Sequence, residues 1–423
     1  MQNLKLFLSQ FARFLQKCFF MKKILFISLL CFLSFSTLFS QTSIEKLDEK
    51  AETIWQALQP FYSQKTKVFN GYIPENTPPP EDIKKFLPLK KNGATNWHGG
   101  MSGIEDNALF NGTLLSSLID QYKITKNPIV AKRAKDLFNG LKLNATAHGD
   151  KGFVARGVSP HDAKTVYPGT SVDQYTHFIY GMLKYYRSPI ATEFEKKEIA
   201  KIFTDIAEKM IREIRPDTTP PYSFKFYKGM PDDRGTGKMM YTDEQGKLYP
   251  SMRLPMIYIA TYATTKNQRY LNLYEKYIDS ALEHEFTSAK NYEKDFKKWS
   301  PAYVAIQRMY ALDIVKSSEK NQQRIKFISQ TMDEVANAYT QSKYFSFEKD
   351  KPKKRGLRDC AELLHAKTLA PSYKLEGIEL ETFLRCMKII WLKNKSYSGS
   401  FPTLLGAYWS ARATNKLKLE NLK

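Results

Sequence analysis

The amino-acid sequence predicts an all-α protein built as an (α/α)6 toroid, six helical hairpins with an inner ring of helices and an outer layer around it. Three observations carry this. Strand signals are scarce while helical periodicity recurs; about twelve helical segments follow residue 43; and they alternate between helices apolar on nearly every side and helices with one apolar stripe.

In chain order the helices are expected near 44–60, 106–125, 128–144, 171–188, 191–215, 250–265, 267–285, 299–316, 319–341, 357–371, 376–393 and 400–416. The stretch from Ala191 to Arg215 sets Ile199, Ile202, Phe203, Ile206, Met210 and Ile214 on one stripe with charges opposite, as an outer helix needs. Asn321 to Gln341 repeats the pattern with Ile325, Ile328, Met332, Val335 and Tyr339. Pro250 to Thr264, Pro301 to Val315 and Phe401 to Ala413 are apolar all round and therefore belong inside. Short turns at Lys126–Asn127–Pro128, Ser188–Pro189 and Lys266–Asn267 join inner to outer helices, and longer links lead back inward. The stretch from Gly71 to Asn92 reads as a loop. An open solenoid would use the same hairpins but needs a sequence repeat, and none is visible.

The 423 residues are 42% hydrophobic and 13% aromatic, which excludes a disordered chain, a collagen-like repeat and a small disulfide scaffold. Met21 opens a three-part leader: Lys22 and Lys23, an apolar run from Ile24 to Phe39, then small Ser40 before polar Gln41. Residues 1–40 are thus expected to be a signal peptide with an upstream extension, and 41–423 a single toroidal domain. That apolar run is short for a membrane span, so the mature protein is expected in the periplasm or secreted, with no stable span. Losing residues 1–40 lowers the formal charge from +22 to +17, which favours anionic partners. Export makes an acidic polysaccharide a better candidate than nucleic acid. Two cysteines remain, Cys360 and Cys386, too few for a zinc ribbon or a thiolate-bound cluster.

In a toroid whose inner helices run the same way, their N-termini meet at one end, where helix dipoles attract anions. Unusual residues do gather there. Trp97, His98, Glu105, Asp106 and Asn107 precede or open the second helix; His148, Arg156, His161, Tyr167, Asp173, Gln174 and His177 surround the start of the fourth. Tyr249 and Arg253, then Trp299 and Tyr303, then Arg358, mark later inner-helix starts. Four of the six histidines fall between Trp97 and His177; His284 and His365 lie elsewhere in the chain. Aromatic faces stack on pyranose rings and Arg pairs carboxylate or sulfate bidentately, so the set suits a carbohydrate. Asp173 at a helix start suits a general acid, and Glu105 or Asp106 the second carboxylate that an inverting hydrolase keeps about 6.5–9.5 Å away. His177, four residues on, lies one turn deeper on the same face, as an orienting partner or a buried hydrogen bond. His161, His177 or Tyr167 could instead take a C5 proton from a uronate, with Arg156 or Arg253 neutralising its carboxylate. Metal-ligand spacings, a phosphate-binding glycine loop and a nucleophile elbow do not appear, so the reading calls for no metal and no cofactor.

The segment YPGTSVDQYTHFIYGMLKYY, Tyr167 to Tyr186, resembles the inner helix of six-hairpin glycosidase-like enzymes, notably the unsaturated glucuronyl and rhamnogalacturonyl hydrolases. That resemblance implies a catalytic role for Asp173. The His- and Arg-rich loop from His148 to Asp162 is more similar to the sites of toroidal polysaccharide lyases. Together they imply cleavage of a glycosidic bond in an acidic poly- or oligosaccharide, by hydrolysis first and by β-elimination second, with non-catalytic glycan binding as the third reading. Finally, Cys360 and Cys386 lie equidistant from an expected hairpin turn near Tyr373, so antiparallel packing sets them level.

Overall fold

The computed structural model describes residues 44–71, 103–167, 169–214, 238–242, 246, 248–290, 301–338, 354–388 and 400–417. The expected leader, most of the loop from Gly71 to Asn92, and Trp97, His98, Trp299 and Tyr339 lie outside these residues. The chain divides into two compact units, Met1–Lys50 with Lys418–Lys423, and Ala51–Leu417. Everything below concerns the second.

Twelve helices are seen among the described residues: α1 (44–58), α2 (Asn107–Thr125), α3 (Pro128–Thr146), α4 (Val172–Arg187), α5 (Glu193–Glu213), α6 (Arg253–Thr265), α7 (Gln268–Lys290), α8 (Pro301–Lys316), α9 (Gln322–Ala338), α10 (Lys354–Leu369), α11 (Gly377–Lys388) and α12 (Phe401–Ala413). One short antiparallel pair, β1 (Met240–Thr242) and β2 (Leu248–Pro250), leads into α6. None of these helices is long and apolar enough to cross a membrane.

Local chemistry sets the turns. Lys126 ends α2 in the left-handed region (φ 53°), and the Asn127 side chain then accepts from Ile129 N at 2.8 Å, with Pro128 opening α3. The same device recurs at Lys266 (φ 59°) and Asn267, which caps α7 through Arg269 N at 3.0 Å. Thr192 and Glu195 form a capping box at the start of α5. α2, α4 and α6 therefore stop cleanly, and α3, α5 and α7 start within a few residues of them.

The even-numbered helices form the ring: α2 packs on α4, α4 on α6, α6 on α8, α8 on α10, α10 on α12, and α12 on α2, which closes it. Burial explains the apolar composition: every residue of α2 from Asn107 to Asp120 is buried, as is every residue of α12 from Phe401 to Ala411. Two glycines permit the closest contact. A Cβ at Gly112 would run into the His177 carbonyl, and one at Gly181 into the Gly112 carbonyl, so α2 and α4 approach backbone to backbone.

Odd-numbered helices lie outside. The α5 stripe is buried as its periodicity predicts, Ile199, Ile206 and Met210 completely. Neighbouring outer helices are laced by ion pairs: Arg133 with Glu52 (2.7 Å), Lys142 with Glu198 (2.9 Å), Arg269 with Glu208 (2.8 Å) and Arg324 with Asp279 (2.9 Å). Exposed pairs contribute about 0.2–1 kcal/mol each, against about 1.5–3 kcal/mol for each fully buried aliphatic side chain. The stripes therefore hold the layer, and the pairs set its register.

Candidate active site

The inner helices run in one direction. Near their N-termini Asp106 meets Gln174, Arg253 meets Gln307, and Arg358 lies over Phe110 and Tyr303. Near their C-termini Lys184 pairs with Asp120 at 2.6 Å and Tyr180 donates to Asp313 at 3.1 Å. One mouth of the ring thus collects every inner-helix start.

A strap, residues 152–167, packs against the starts of α2 and α4 at this mouth. Phe153, Val154, Ala155 and Val158 are fully buried. The Tyr175 hydroxyl donates to Gly152 O (2.8 Å) and accepts from Val154 N (3.2 Å), while Asn144 donates to Ala155 O (3.2 Å). Gly157 leaves no room for a side chain against Ile104. Rigidity here matters because the strap presents Arg156.

The Arg156 guanidinium joins the two helix starts. Nη1 donates to Glu105 O (3.0 Å) and Asp106 Oδ1 (3.1 Å), and Nη2 donates to Ser171 Oγ (3.0 Å). The Ser171 hydroxyl in turn donates to Asp173 Oδ1, which also accepts from Gln174 N (2.9 Å). Gln174 is fully buried; its Nε2 donates to Asp106 Oδ1 (3.0 Å) and its Oε1 accepts from Leu109 N (3.0 Å). Arg156 therefore binds Asp106 directly and reaches Asp173 through Ser171. Burial pushes the Asp173 carboxyl above its ordinary range; Arg156 pulls it back and Asp106 pushes further. Burial also raises Glu105, against hydrogen bonds from its own and Gly103's backbone N–H.

One turn deeper, His177 is almost completely buried. Its Nδ1 pairs with Thr113 Oγ1 at 2.8 Å, not with Asp173, so the expected Asp173–His177 partnership is replaced by a bond to α2. Nε2 has no hydrogen-bond partner among the described residues. Burial holds the imidazole well below its ordinary pKa, with Arg358, His365 and Arg253 adding to the effect. Arg358 lies 5.0 Å from the Phe110 ring and 5.4 Å from that of Tyr303, and donates to Glu362 at 2.7 Å. Five of the six inner helices thus contribute to the ring centre: Phe110 and Thr113, His177, Arg253, Tyr303 with Gln307, and Arg358 with Glu362.

The other residues expected from the sequence are held by contacts of their own. His161 tips the hairpin closed by the Val158–Val166 bridge, and Lys65 donates to its carbonyl. His148 uses both ring nitrogens on backbone, Asn144 O (3.1 Å) and Asp150 N (3.0 Å). Tyr167 is buried against Ile104. Tyr249 stacks on His284 of α7 at 3.7 Å. Asn107 is fully buried and donates to Asn70 at 2.9 Å.

His365, distant in sequence from the other histidines, belongs to the ring centre: its Nδ1 pairs with the Tyr310 hydroxyl at 3.2 Å, beside His177. Ser171, Gln307 and Glu362 were also not singled out. The spacing of Arg358 and Glu362, one helical turn, was a usable signal for that pair.

These features define a closed six-hairpin helical ring with carboxyls and guanidiniums at its N-terminal mouth. No family model and no curated protein matches the chain. Among solved structures it is similar to an α-1,6-mannanase from Salegentibacter sp. HEL1_6, at 12% identity over 87% of this chain and 99% of that one, TM-score 0.47. It is similar to a cellobiose 2-epimerase from Bacillus thermoamylovorans at 12% identity, over 82% and 86%, TM-score 0.47. It is also similar to an unsaturated glucuronyl hydrolase specific for heparin at 13% identity, over 88% and 98%, TM-score 0.36.

Proposed function

We propose that the protein is a carbohydrate-active enzyme that cleaves a glycosidic bond in an acidic glycan, by hydrolysis, with Asp173 as general acid. The observation that carries this is the pairing of Asp173 and Asp106 across Arg156. Burial pushes the Asp173 carboxyl upward and so favours its protonated form, the form a general acid uses on the leaving-group oxygen. Asp106 is the second carboxylate: Arg156 and Gln174 both bind Oδ1 and hold it in place, and Oδ2 has no hydrogen-bond partner among the described residues. Arg253 and Arg358 at the ring centre suit a carboxylate or sulfate on the sugar, and Tyr303, which is half-buried, suits a ring face. The reading includes export, carried by the leader at residues 21–40.

A second reading, β-elimination, rests on His177 as the base for a uronate C5 proton: its Nε2 has no hydrogen-bond partner among the described residues, and burial, with Arg358 and Arg253, favours the uncharged ring. Both readings are tested by incubating the protein with uronate-rich and sulfated glycans while following reducing ends and the ultraviolet absorbance of an unsaturated uronate. Reducing ends alone support hydrolysis, and Asp173→Asn is then expected to lose about 100-fold or more in kcat. Both signals rising identify a lyase and move the chemistry to His177. Binding without new reducing ends leaves a glycan-binding protein.

A further inference from the structure

We propose that Cys360 and Cys386 are joined by a disulfide in the folded protein, a staple between α10 and α11 directly behind the ring centre. Their sulfurs lie 3.2 Å apart and both residues are completely buried. A disulfide bond is about 2.05 Å long, so closure takes a displacement on the order of 1 Å shared between two side chains. Antiparallel packing of the hairpin keeps them level, and the turn between the helices is itself pinned. The Tyr373 hydroxyl donates to Glu379 at 2.5 Å, Lys367 pairs with the same carboxylate, and Lys416 donates to Tyr373 O at 2.8 Å.

The position on α10 gives the staple a purpose. Arg358, Glu362 and His365 follow a four- and three-residue spacing and face the ring centre, whereas Cys360 lies on the opposite face, against α11. Tying that back face to α11 fixes the rotation of the helix that presents Arg358. In forming the bond, two thiols lose two protons and two electrons together. The electrons pass by thiol–disulfide exchange to a disulfide-bearing oxidant, which leaves as its dithiol. Because both sulfurs are sealed from solvent once the hairpin packs, exchange precedes final packing, and the finished bond is shielded from reductants.

The test is peptide mapping of the full-length protein, alkylated under denaturing conditions before and after reduction. Two preparations are compared: protein exported by a bacterial host, and reduced protein refolded in a glutathione redox buffer. The expected result is one linked peptide pair containing Cys360 and Cys386, released by reductant. Wild-type protein unfolded and refolded in reductant is further expected to melt several degrees below the oxidised form, and the Cys360→Ala/Cys386→Ala variant to melt alike after either treatment. Full alkylation of both thiols in both unreduced preparations would overturn the proposal. The thiol readout is independent of the sugar chemistry, and the refolded arm is independent of export.

Discussion

Arg156 is the residue on which the mouth depends, because one guanidinium reaches Glu105, Asp106 and Ser171 at once. It is also the largest influence holding the Asp173 carboxyl down against burial. Arg156→Met is therefore expected to raise the Asp173 pKa further and move the alkaline limb of the activity profile to higher pH. A pH–rate profile checks this, and a loss of activity with an unmoved limb would reduce Arg156 to a structural brace. The buried imidazoles make a separate expectation about stability. Burial lowers His365 from 6.5 to about 3, with Lys184 contributing. Above about pH 6.5 neither folded nor unfolded chain holds that proton; between 6.5 and 3 the unfolded chain takes it up and the fold refuses it. Stability therefore falls as pH drops through this window, by up to about 5 kcal/mol from this one group. His177, also lowered, adds in the same direction. Tm measured against pH should show the decline, and His365→Gln should flatten it.

At the scale of elements, the α2–α4 contact is the tightest in the ring because Gly112 and Gly181 bring two backbones together. The obstacle to a larger residue is a carbonyl rather than a movable side chain, so relaxation requires the helices to part. Gly112→Ala is expected to cost about 3 kcal/mol, near the upper end of overpacking effects, as read by chemical denaturation. The carbonyl it would strike is that of His177, so the proposed function adds weaker glycan binding as a second expected effect. The outer helices behave differently. Removing one lacing pair, as in Lys142→Ala, should change stability by less than about 1 kcal/mol.

For the molecule as a whole, closure of the ring is the step that creates a centre. It rests on α12, which lies between α10 and α2 and is buried on every side. Gly406 of α12 packs against the His365 ring and Thr113, so the last helix also supports the residues around His177. Deleting residues 401–423 should leave both neighbours with bare apolar faces; loss of cooperative melting by circular dichroism is the expected outcome. The net charge belongs to this scale too. If the positive excess steers an anionic glycan, binding should weaken steeply with salt.

Helix number, order and inner or outer placement were all legible in the sequence, because a helix buried on every side and a helix buried on one face need different residue patterns. Hairpin turns were legible at Lys126–Asn127–Pro128 and Lys266–Asn267, where capping chemistry is local. Asp106, Arg156 and Asp173 could be nominated from their places at helix starts. What they bind could not: Arg156 reaches Asp106 across 50 residues, and His177 turns from Asp173, its neighbour on the helix, to Thr113, 64 residues away. His365 and Glu362 join the centre only because the ring closes. The sequence by itself determined which faces are buried, since burial is written in local periodicity. Only the tertiary structure decided which polar groups meet, since those partners are separated by whole helices and are brought together by packing.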